Sequence, residues 1–86
     1  MYNKVKKCLE CMGYKFLECD RVELRNGLAL TNGFLIEKSY YDKVYIEIYD
    51  SGIIVIWDYM DVRPLYVISK KEDYVKMFYL AWILSN

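Results

Sequence analysis

The sequence contains no histidine. Without the side chain that most often serves as general base or metal ligand near neutral pH, most hydrolase and metalloenzyme schemes fail at the start. Neither charge is in excess: Lys+Arg and Asp+Glu number 12 each, a formal net charge of zero. That removes the broad electrostatic argument for a nucleic-acid binder or an acidic mimic of nucleic acid. Long apolar runs are missing as well. The longest, Met77 to Leu84, has eight residues, against about 20 needed to cross a bilayer. Met1 to Lys7 is followed by Cys8, Leu9, Glu10 and Cys11, not by the apolar stretch of a signal peptide. A soluble cytoplasmic protein with no membrane partner is the expectation. The three cysteines are an odd number, which makes reduced thiols the default.

What is present describes a globular chain, 56% hydrophobic and 28% charged, of a length that suits one domain spanning 1–86. A domain of this size buries roughly 60 to 65% of the surface of its unfolded chain, so a large internal substrate cavity would be costly.

Val5, Cys8, Leu9 and Met12 recur at i, i+3, i+4 and i+7, the pattern of an amphipathic helix, with Asn3 as its cap and Gly13 as its stop. From Tyr14 the period becomes two, Arg21, Glu23 and Arg25 alternating with Val22 and Leu24. Asn26-Gly27 and Asn32-Gly33 both read as tight turns. A hairpin is predicted over Lys43 to Tyr59: Val44, Ile46 and Ile48 alternate with Tyr45, Glu47 and Tyr49, Asp50-Ser51-Gly52 turns the chain, and Ile53 to Trp57 returns as a central strand. Pro64 places Leu65 to Ile68 at an edge or just after the proline. Ser69-Lys70-Lys71-Glu72 matches a capping box and predicts a C-terminal helix, apolar nearly all round from Met77. The expected fold is α+β, an antiparallel sheet of three to five strands with the two terminal helices on one face.

Three constellations are candidates for chemistry. Cys8-x-x-Cys11 with Cys19 lies in the wrong place for a redox pair, because such a pair begins a helix instead of ending one. With no histidine, zinc would need Glu18 or Asp20 as a fourth ligand, an uncommon set. Cys8 reads as a core residue. Asp42, Glu47, Asp50, Asp58 and Asp61 face only Lys43 in their stretch, yet a strand of about 25 Å separates Asp50 from Asp58. Asp42, Asp58 and Asp61 are expected together at one end, as solvated turn residues. No catalytic residue, cofactor or metal is expected.

Ten tyrosines are the most unusual feature of the composition. With Val44, Ile46 and Ile48 on the core side, Tyr45, Glu47 and Tyr49 would face solvent or a partner, and tyrosine is enriched at protein interfaces. The expected contact surface is therefore Tyr45, Glu47 and Tyr49 with Asp42, Asp50 and Asp58. Two alternatives stand beside it. A nucleic-acid-binding accessory protein would touch phosphates through Lys4, Lys7, Lys70, Lys71 and Lys76 on basic helices. A self-associating protein would use Met77, Leu80 and Leu84 as the seam of a homodimer. In its size, its tyrosine content and its lack of a catalytic motif, the chain resembles in kind the inhibitor and accessory proteins of phages and mobile elements, including the anti-CRISPR proteins. The resemblance implies a non-enzymatic inhibitor that occludes a host nuclease or defence complex.

Overall fold

The structure, a computed structural model, describes residues 2–23 and 27–69. Helix α1 (Tyr2–Cys11) is followed by five strands, β1 (Phe16–Glu23), β2 (Ala29–Ser39), β3 (Asp42–Ile48), β4 (Ile54–Asp58) and β5 (Arg63–Ile68). They form one antiparallel sheet in chain order, β1-β2-β3-β4-β5.

The expected α+β fold is thereby corrected to a mostly β one, since strands take 57% of the described residues and α1 is their only helix. The C-terminal helix, with Met77, Leu80 and Leu84, lies outside the described residues. A second correction falls in β2. Asn32-Gly33 is not a turn but lies inside an unbroken 11-residue strand.

The N-terminal helix forms as its periodicity predicts. Val5 and Leu9 are fully buried, and Tyr2 and Met12 continue the same stripe against the core. Gly13, at φ 75°, ends it in a Schellman arrangement: Tyr14 N–H donates to Leu9 O at 3.2 Å and Gly13 N–H to Glu10 O at 3.1 Å. Asn3 sits inside the first turn, not at the cap.

The face of the sheet that carries α1 presents Phe34 and Ile36 of β2, Val44, Ile46 and Ile48 of β3, Ile54 and Ile56 of β4, and Ile68 of β5 to one core. Tyr2 lies on Phe34 at 4.6 Å between ring centroids, and Phe16 meets the same ring edge-on at 5.3 Å. β4 is an interior strand, paired on both sides by β3 and β5, as its run of β-branched residues predicts, although β3 takes the central place. Among the described strands β5 is an edge, which accommodates Pro64, and a register shift opposite Ile56 and Trp57 leaves Leu65 as the extra residue of a bulge.

Candidate functional site

The second face of the sheet holds the residues the sequence marks out, and it is not the open tyrosine surface they suggest. In β2, Phe34 packs toward α1, whereas Leu30, four residues earlier, packs in a separate cluster with Tyr45. In a regular strand the two would share a face. The phase changes at Asn32, which adopts φ 49°, while the pairing offset with β1 stays constant from Cys19↔Gly33 to Arg21↔Thr31. Cys19 and Val22 of β1 join this cluster together and show the same slip. The far end of the β1–β2 ladder therefore rolls over the second face.

Beneath it lies Tyr45, fully buried, with Leu35 and Trp57 as its cross-strand neighbours. Gly33 makes this possible. A methyl group there would overlap the Ile46 carbonyl oxygen and meet the Tyr45 ring and hydroxyl at 2.9 Å. Burial, followed by the nearby Cys19 and Glu47, pushes the Tyr45 hydroxyl well above its ordinary pKa. Among the described residues that hydroxyl has no hydrogen-bond partner.

Glu47 is buried too, at 3% exposure. Its Oε1 accepts from the Tyr49 hydroxyl at 2.7 Å and from Trp57 Nε1–H at 3.2 Å, and its Oε2 accepts from Thr31 N–H at 3.2 Å. A buried carboxylate is tolerable only when its lone pairs are occupied. Here three donors from three strands or their ends converge on it. The hydrogen bond to Glu47, with burial second, raises the Tyr49 pKa.

The expectation that Tyr45 and Glu47 stand open to a partner is thus corrected. The alternation of β3 holds, but the bend at Asn32 covers the face that alternation leaves free. Tyr49 alone of the three is exposed, at 42%. The acidic residues divide as the strand length requires. Asp42 and Asp58 lie at one end of the β3–β4 ladder and Asp50 in the turn at the other. Asp58 accepts from Met60 N–H and Asp61 N–H at 3.1 and 3.2 Å and so shapes its own turn. Asp42 pairs with Lys38 at 3.7 Å. The six residues form no single patch.

The three cysteines are free: Cys11 is exposed, Cys8 and Cys19 partly buried. Burial first of all pushes both the Cys8 and Cys19 thiols upward, away from the reactive thiolate. Among the described residues no group of three His, Cys, Asp or Glu is arranged to hold a metal ion, and no helix is long and apolar enough to cross a membrane.

The feature that alternation could not reveal is the tip of the β2–β3 hairpin. Tyr40 and Tyr41 are 76% and 81% exposed, the most open large hydrophobic side chains described. Their rings meet edge to face at 4.9 Å, and Lys43 Nζ stands 5.6 Å from the Tyr40 centroid. The lysines around them are engaged, Lys38 by Asp42 and Lys43 by Glu37 at 3.6 Å. Of the basic residues on α1, Lys6 is held by Glu18 at 3.0 Å. No family model matches the chain, and no curated protein or solved structure shows a significant likeness to it.

Proposed function

We propose that the chain is a small non-catalytic protein-binding module that acts by occlusion, in the manner of an inhibitor of a host nuclease or defence complex. The observation that carries this reading is the Tyr40–Tyr41 pair. Two large rings set edge to face in solvent offer wide contact area, each with few rotatable bonds to order, together with two hydroxyls that can be satisfied across an interface. The engaged state of Lys38 and Lys43 favours a protein surface over phosphates, because a phosphate would first have to displace Asp42 and Glu37.

The test compares the wild-type chain with the Tyr40→Ser/Tyr41→Ser variant as bait, followed by titration of the purified target. Both rings are exposed, so the variant keeps its fold and its denaturation midpoint. The expected result is a salt-tolerant 1:1 complex that the variant weakens about 30-fold or more, the effect of losing one interfacial hot spot. Equal binding by the variant would move the contact elsewhere. Capture of nucleic acid that salt removes would replace the reading with the lysine-based one.

A further inference from the structure

Strand β1 ends the sheet, and among the described residues nothing pairs with its outer side. Alternate residues of such an edge aim their N–H and C=O groups away from the sheet. The ladder is regular from Phe16↔Ile36 to Cys19↔Gly33, before the phase change beyond Cys19. Beside this stretch lies an open cleft of about 280 Å³, lined by Lys15, Phe16, Leu17, Leu35 and Glu37. Leu17 is 61% exposed, the most open aliphatic side chain described.

The two charges at the cleft are not equivalent. Glu37 is held by Lys43, whereas Lys15 has no ion-pair partner among the described residues. The unspent charge is positive. Lys43, the partner of Glu37, also stands over the Tyr40 ring, so a chain of contacts links the rim of the cleft to the aromatic tip.

We propose that this edge takes an extended peptide segment of the partner protein, added as a strand along Phe16–Cys19, with one aliphatic side chain in the cleft and one carboxylate on Lys15. The inference rests on the protein-binding reading above and names the chemistry of what is bound. Main-chain hydrogen bonds to the edge supply affinity, while the cleft and Lys15 select the sequence. The carboxylate is that of an acidic side chain or of a chain end, and the recognition chemistry is common to both.

Three acetylated probe peptides test this, each an alternating threonine–valine hexamer with one central leucine. The first carries an added glutamate and an amidated end, the second a free terminal carboxylate, and the third neither. Each is titrated into the labelled chain and followed by amide chemical shifts. Shifts along Lys15–Cys19 and Leu35–Glu37 are expected with the first or second peptide, and which of the two binds identifies the source of the carboxylate. The neutral peptide binds about fivefold more weakly, the worth of one exposed ion pair. Lys15→Glu should erase that preference and Lys15→Arg keep it; Leu17→Asp, at an exposed position, should abolish binding without changing the far-ultraviolet spectrum. No shift on β1 with any peptide, or equal binding of all three by wild type and Lys15→Glu, overturns the proposal. If the tyrosine variant loses a protein target while the peptides leave β1 unmoved, the binding module stands and the edge site falls.

Discussion

Replacing Glu47 should be among the most damaging single changes on the second face. Three donors depend on it, and they do not depend equally. Trp57 Nε1–H, on a half-buried side chain, and the main-chain N–H of the exposed Thr31 both lose their acceptor; a donor left fully dry costs about 1–3 kcal/mol, and water reaching Thr31 lowers its share. The Tyr49 hydroxyl is on a partly exposed side chain and can turn to water, so its share is about 1 kcal/mol or less. Glu47→Ala is therefore expected to destabilise by about 2–4 kcal/mol. Glu47→Gln keeps the shape and one carbonyl acceptor but turns an amide donor toward another donor, for about 1.5–3 kcal/mol. Single domains have only about 5–15 kcal/mol in total, so the alanine variant should lie near the limit of folding.

Urea denaturation of wild type, Glu47→Ala, Glu47→Gln and Tyr49→Phe, with unchanged m-values, gives the numbers directly. A double-mutant cycle between Glu47→Gln and Tyr49→Phe isolates the 2.7 Å bond, with a coupling of about 0.5 kcal/mol or more. A cost below about 1 kcal/mol for Glu47→Ala would refute the argument, because Trp57 and Thr31 would then have found water or another acceptor. So would a glutamine variant less stable than the alanine one.

Gly33→Ala should cost about 3 kcal/mol or more or prevent folding, because the added carbon meets main chain at Ile46 and the buried Tyr45 ring together; circular dichroism and melting temperature report it. Asn32→Gly should lie within about 0.5 kcal/mol of wild type, whereas Asn32→Val, β-branched in a left-handed conformation, should lose about 1–2 kcal/mol in the same urea series. Docking of α1 should depend on pH at both ends. Lys6 and then Tyr2 hold the Glu18 carboxyl below its ordinary value, so its contribution is present above the usual carboxylate range and lost as pH falls through the lowered one; Glu18→Gln removes that acid limb. Burial, then Glu18, raises Tyr2 to about 12, so its contribution holds up to pH 10 and fades toward 12. Tyr2→Phe should soften the alkaline loss without abolishing it, because Tyr14, Tyr45 and Tyr49 are raised too; hydrogen exchange of α1 amides measures both limbs.

Elements governed by local periodicity were legible. The helix stripe Val5–Leu9–Met12, the stop at Gly13, the hairpin around Asp50-Ser51-Gly52, the interior position of β4 and the edge position of Pro64 all follow from residues within one or two turns of each other. Asn32-Gly33 misled because its chemistry is truly ambiguous. The same tolerance of left-handed backbone that makes Asn-Gly a hairpin turn also lets a strand change phase without breaking its ladder. Which outcome occurs depends on β3, more than ten residues away, offering Tyr45 a place beneath Gly33. No local pattern carries that information.

The misreading at Asn32 and the misplacement of the contact surface are one error seen twice. Had Asn32-Gly33 turned the chain, the second face would have remained bare, with Tyr45 and Glu47 in solvent and Tyr49 beside them. Because the strand bends instead, Leu30 and Val22 cover Tyr45, and Thr31 delivers its N–H to Glu47. The tyrosines of β3 and the position just past its end are thereby divided between two roles, Tyr45 as a core residue and Tyr49 as a donor to a buried carboxylate. Tyr40 and Tyr41, in the loop, have no such cover and no such duty. Their exposure is a property the fold does not require. An exposed aromatic pair that stabilisation of the sheet leaves unexplained is what the proposed binding role would account for.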